Sequence, residues 1–202
     1  MSVSQSLQSK IASSSKGWVF SANDFVDIGT DINVDTILHR MAKNGIIRRL
    51  GYGLYDNPKT SDLLGPLSPT IQDIINAYAR KLGQTFVLDP LNAANALGVT
   101  TQVPSKLTYL TDGKSRVINV CGLDIHFVHA APKVIAGAKS PVGIFIQALR
   151  YFGSRGAPDA VLQQLAGRIK KSDLGTLNSV KNNSLRIISS QIDRMTKLAT
   201  IH

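Results

Sequence analysis

The sequence predicts an α+β chain, with a small helix–strand unit first and a second α+β region that ends in helices. Three observations carry this. Apolar residues recur at i, i+3, i+4 and i+7 in several windows, short β-branched or aromatic runs lie between them, and glycines punctuate the boundaries. With 202 residues and 43% apolar content, the chain is long enough for one or two cores.

The first 58 residues alternate. Leu7 and Ile11, four apart in a serine-rich stretch, predict a short helix ending before Lys16-Gly17. Trp18-Val19-Phe20 is too short and too aromatic for a helix and predicts a strand. Ser21, three residues before Asp24, caps a second short helix through Phe25 and Val26, and Gly29 stops it. Asn33 caps the next helix, whose residues Val34, Ile37, Leu38 and Met41 form one apolar stripe; Gly45 ends it. Ile46 to Leu50 and Leu54 to Asp56 flank Gly51-Tyr52-Gly53 and predict a hairpin. This order is that of a winged helix-turn-helix, with residues 34–43 as recognition helix and 51–53 as the wing.

Residues 57–68 carry two prolines and a glycine and predict a linker, giving domains 1–58 and 67–202. Ser68-Pro69 opens a helix with a cap and a first-turn proline; Ile71, Ile74, Ile75, Tyr78 and Leu82 are its buried stripe and Gly83 closes it. Thr85 to Leu88 predicts a strand and Leu91 to Leu97 a short helix. Residues 107–110, 116–120 and 123–128 predict strands of a small antiparallel sheet, joined in turn by Asp112-Gly113 and Cys121-Gly122. Helices are expected at about 141–152, 158–170, 173–181 and 184–200.

Twenty-three Lys and Arg against thirteen acids give a net charge of +10, spread along the chain, which favours a polyanionic partner. Every acid is aspartate, so mechanisms that need a glutamate are excluded. No run approaches the ~18 apolar residues of a membrane span, and the first residues lack the layout of a secretory signal. A cytoplasmic protein without a membrane partner is expected. Cys121 is the only cysteine, so no internal disulfide or zinc-type cysteine spacing is available.

On a helical wheel Thr36, His39, Arg40 and Lys43 fall opposite the apolar stripe, with Asp35 at the edge. Arg40 and Lys43 can reach guanine acceptors or phosphates, and Thr36 or His39 can make shorter contacts. In the hairpin Arg48 and Arg49 point to opposite faces, so one can grip phosphate while the other lies against the domain. Tyr52 at the tip either packs on its own hairpin or touches a sugar or the minor groove.

Signals for catalysis fail individually. Asp112-Gly113-Lys114-Ser115 mimics the end of a phosphate-binding loop, but Thr108 stands where the earlier glycine belongs and a strand follows. His126 and His129, three apart on a strand, face opposite ways, and Asp124 with His126 has no third partner. There is no Gly-x-Ser-x-Gly elbow and no Asp-x-Asp pair for magnesium, and Gly153-Ser154 lacks the carboxylates a nucleotidyltransferase needs. No catalytic site, cofactor or metal is expected.

Several stretches in fixed order resemble the AbiEi-type antitoxins of type IV toxin–antitoxin systems. They are Gly17-Trp18-Val19-Phe20, Val34 to Met41, Gly45 to Tyr55, Ala93 to Gly98, Thr101-Gln102-Val103-Pro104 and Tyr109 to Arg116, covering residues 5–155. The resemblance implies an autorepressor that binds repeats in its own promoter through an N-terminal winged helix. It also implies that the second domain counteracts a nucleotidyltransferase-like toxin. Matched by position, DNA contacts fall on Thr36, His39, Arg40, Lys43, Arg48, Arg49 and Tyr52. Arg116, Lys133 and Arg150 are the candidates for an antitoxin surface. One winged helix covers one half-site, so repression calls for two copies on an inverted repeat or two joined chains. The alternatives are a stand-alone regulator with a partner- or ligand-sensing second domain, an enzyme directed to nucleic acid, and an RNA holder, which would lack an aromatic stacking platform.

Overall fold

The computed structural model describes residues 2–181 and 186–201. The fold is α+β, and the chain divides into two compact units, Met1–Gln84 with Ile118–Leu123, and Thr85–Val117 with Asp124–His202.

In the first unit, α1 (Val3–Ser13) is opened by a capping box in which Ser2 and Gln5 satisfy each other's backbone N–H, and it buries Leu7 and Ile11. Strand β1 is Val19–Phe20. The expected second helix is a single 3-10 turn, Ala22–Phe25, closed by a Ser21–Asp24 capping box. Phe25 is its only buried anchor and Val26 is 67% exposed, so no apolar stripe exists to prolong it. Helix α2 (Asp31–Lys43) starts from Thr30, not from Asn33, with Asp31 in its first turn. Strands β2 (Arg48–Gly51) and β3 (Leu54–Asp56) follow, and the sheet order is β1-β3-β2, antiparallel throughout. Its core is aromatic: Phe20 is fully buried, 4.7 Å from the Trp18 ring and 5.5 Å from the Phe25 ring.

Three expectations need correction here. Residues 57–68 are not a structureless linker, because Thr60–Ser61 (β4) pairs antiparallel with Gly65–Pro66 (β5). The helix that follows, α3 (Ile71–Leu82), is capped by Thr70, whose hydroxyl accepts from the Asp73 N–H at 3.1 Å, leaving Pro69 before the cap. It packs on the 3-10 turn, β1 and β3, so the unit continues to Gln84 and does not end near residue 58. Arg80 fixes it there through Asp24 at 2.7 Å and the Val19 carbonyl at 2.9 Å. Gly83 ends it in the left-handed conformation.

In the second unit, β6 (Phe86–Leu88) leads to α4 (Pro90–Ala96), where Asp89 accepts from the Asn92 N–H and Pro90 opens the helix. Strands β7 (Leu107–Thr111), β8 (Arg116–Val120) and β9 (Leu123–His129) complete a sheet of order β6-β7-β9-β8, with Ile118–Leu123, the end of β8 and the turn into β9, counted in the first unit. The sheet is mixed, not purely antiparallel: β9 lies parallel to β7, with Thr111 opposite His129. The expected β7–β8 hairpin does not form because β9 takes the place beside β7; on the other flank of β7 the β6–β7 register ends with Asp112 accepting the Thr85 N–H at 2.9 Å. Residues 112–115 instead cross the end of β9, where Ser115 accepts from the His129 N–H and the His129 ring meets the Gly113 carbonyl at 2.9 Å.

Helices α5 (Gly143–Tyr151), α6 (Asp159–Ala166), α7 (Leu174–Lys181) and α8 (Arg186–Ile201) follow; the expected start of the last one, residue 184, lies outside the described residues. They enclose a core around Ile146, Leu149, Leu162, Leu165, Ile192 and Met195. Gly143 is required at the start of α5, since a Cβ there would lie 2.8 Å from the Gly137 carbonyl oxygen.

Candidate nucleic-acid interface

The apolar stripe of α2 fixes what its other side presents. Val34, Ile37, Leu38 and Met41 are buried, and Thr36, His39, Arg40 and Lys43 are all exposed. The Thr36 hydroxyl donates back to the Ile32 carbonyl at 2.8 Å, which leaves its oxygen free to accept. Asp31 and Asp35 occupy the N-terminal half of this face and Arg40 and Lys43 the C-terminal half, an order that complements the helix dipole. Among the described residues Arg40 and Lys43 join no ion pair.

The hairpin decides which arginine is free. A regular ladder closed by Gly51 opposite Leu54 would set Arg49 across from Asp56. A bulge between Arg49 and Gly51 shifts the register, so Arg49 faces Tyr55 and Arg48 faces Asp56. Arg48 then donates to the buried Asp56 carboxylate from Nε at 3.0 Å and from Nη2 at 2.6 Å, and to the Leu67 carbonyl at 2.6 Å. The carboxylate holds the guanidinium above its ordinary pKa. Arg48, expected among the DNA-contacting residues, is thus half-buried with its charge engaged by Asp56, and Arg49 is the exposed one of the two.

The hairpin turn, the expected wing, is tighter than a flexible loop. Tyr52 and Gly53 carry φ of 51° and 66°, the pattern of a two-residue type I′ turn. Tyr52 is 47% exposed. Its hydroxyl accepts from the Asn119 N–H at 3.4 Å, and its carbonyl accepts from Lys81 Nζ at 2.6 Å. Lys81 is a residue that wheel and spacing arguments missed, because its own helix is buried elsewhere and only the fold brings its ammonium under the turn. Burial lowers its pKa, opposed by the Asp35 charge. A cleft of about 520 Å³ at the base of the hairpin gathers Lys16, Arg48 and Arg49 beside the 45–47 backbone.

In the second unit, the proposed antitoxin residues have different situations. Arg116 lies over the Phe127 ring, 5.9 Å from its centroid. Arg150 donates to the Lys133 carbonyl at 2.6 Å, which ties α5 to the chain at Lys133, and desolvation lowers its pKa. Lys133 itself is exposed. The segment 112–115 is the connection over β9 described above, and Cys121 is exposed at a turn with φ of 54°. Among the described residues no three His, Cys or Asp side chains are grouped closely enough to hold a metal ion. No described helix is long and apolar enough to cross a membrane.

No curated protein matches the chain. A family model described as a family of unknown function (DUF6088) matches residues 6–177, which is most of the sequence. The chain is therefore a member of the DUF6088 family.

Proposed function

We propose that the first unit is a winged-helix module that binds duplex DNA, and that the protein is a non-enzymatic, cytoplasmic antitoxin that represses its own operon. The observation that carries the DNA part is the exposed row Thr36, His39, Arg40 and Lys43 on α2, followed by exposed Arg49, with no ion pair among the described residues to neutralise its cations. A helix of this kind placed after β1 and a short turn, and before a hairpin, is how such modules offer one element to a major groove. The repressor and antitoxin parts rest on the resemblance to AbiEi-type proteins. Under it the partners are inverted repeats upstream of the protein's own gene and a nucleotidyltransferase-like toxin.

A stand-alone regulator is the second reading. It is favoured by the internal roles of Arg116 and Arg150, which leave Lys133 alone as a solvent-facing member of the supposed toxin surface. Binding to the upstream DNA across a series of salt concentrations tests the first part. The variant Arg40→Ala/Lys43→Ala/Arg49→Ala should bind weakly, with a slope against log salt lower by about 0.9 per lost phosphate contact. Unchanged binding by this variant refutes the proposed face. Co-expression with the gene product encoded next to it separates antitoxin from plain regulator: rescue of growth supports the first, no effect the second.

A further inference from the structure

Two features of the first unit leave the hairpin turn without a cation of its own. The turn residues are Tyr52 and Gly53, and the nearby Arg48 is held by Asp56. Resting on the duplex-binding reading above, we infer that Lys81 of α3 supplies the wing's contact to a DNA phosphate, its ammonium held at the turn by the Tyr52 carbonyl.

The geometry is that of a prepared donor. Lys81 Nζ lies 2.6 Å from the Tyr52 carbonyl oxygen, its only hydrogen-bond acceptor among the described residues, so further N–H donors and the whole charge stay available. Gly53 makes the approach possible: a Cβ at that position would collide with the Lys81 ammonium. The stem is steadied from behind, because the Asn23 side chain donates to the Lys81 carbonyl at 2.9 Å and neighbouring Arg80 is fixed by Asp24 and the Val19 carbonyl. Asp35 on α2 is the acid whose field reaches Lys81, yet it forms no ion pair with it among the described residues. A compact, point-like cation on a braced stem at the hairpin turn suits a phosphate oxygen, which needs charge and not a planar fork. The first unit's DNA surface thereby includes a helix residue 29 positions after the turn that holds it.

The test uses the full chain and two duplexes of about two helical turns, one from the DNA directly upstream of its gene and one of scrambled sequence. Lys81→Gln removes the charge and keeps an amide donor for the Tyr52 carbonyl. Its slope against log salt should be shallower by about 0.9, and near 0.1 M salt its affinity for both duplexes should fall about eightfold, since one fewer counterion is released. Lys81→Arg should restore the slope. Gly53→Ala should shift the ammonium off the turn and reproduce the loss with the cation still present. If the unaltered chain binds and Lys81→Gln keeps the full slope, Lys81 only fastens the turn and the inference is overturned, with the DNA reading intact. If the unaltered chain binds neither duplex, the DNA reading falls and takes this inference with it. Thermal melting of each variant checks folding; should Lys81→Gln unfold, the slopes of Lys81→Arg and Gly53→Ala decide, equal slopes in those two overturning the inference.

Discussion

Replacing Arg48 by alanine leaves the Asp56 carboxylate, whose side chain is 1% exposed, without the guanidinium that now meets both of its oxygens. Removing one partner of a buried pair costs about 3–5 kcal/mol, whereas an exposed pair contributes about 0–1. Arg48 is 31% exposed and so partly solvated, which moves the expected loss to the lower end, about 3 kcal/mol including the bond to the Leu67 carbonyl. Trp18, the chain's one tryptophan, packs against Phe20 in the first unit and reports unfolding there by fluorescence. With a urea slope of ~2 kcal/mol/M, the midpoint should fall by ~1.5 M. The double variant Arg48→Ala/Asp56→Ala should be less destabilised than the two single losses added together, because the stranded charge is gone. A loss under about 1 kcal/mol, or strict additivity of the two changes, would refute the reasoning. So would an Arg48→Ala protein that keeps its midpoint and loses DNA binding, since the arginine would then act on phosphate and not on the fold.

Phe20→Ala should cost about 3–5 kcal/mol and Phe20→Leu about a third of that, read from the same fluorescence midpoint, because Phe20 is fully buried among three other rings. The Thr85 N–H holds the Asp112 carboxyl below its ordinary value of 3.8. A lowered folded-state pKa means this contribution is complete above the ordinary value and drains away as pH falls through the folded one. Urea midpoints of the native chain should therefore fall more steeply between about pH 5 and pH 3 than those of Asp112→Asn; parallel curves would count against the contact.

Much of the architecture was legible because local rules set it. Leu7 with Ile11, the α2 stripe and the Gly83 stop all depend on residues within one or two turns, and each lies where periodicity and capping put it. The errors are non-local. Nothing in the spacing of residues 107–129 says that β9 sits between β7 and β8, since that depends on the long-range parallel pairing of β9 with β7. The membership of α3 depends on Arg80 finding Asp24. The exposed face of α2 could be read from the wheel, but the alternation of Arg48 and Arg49 said only that they differ. A bulge chose between them, and a bulge next to Gly51 is visible only once the strands are paired.

The short bridge of residues 112–115 over the end of β9 constrains how the second unit can assemble. β8 and β9 are joined by a tight turn and can zip together within microseconds, as local hairpins do. β9 must nevertheless be seated between two strands already tied by four residues, with partners such as Leu107 and Ile125 eighteen positions apart. The parallel pairing is the non-local step of this assembly and closes more slowly than the local β8–β9 hairpin. Until it does, β7 presents a bare hydrogen-bonding flank, which makes the interval before that closure the period of greatest exposure to self-association during refolding.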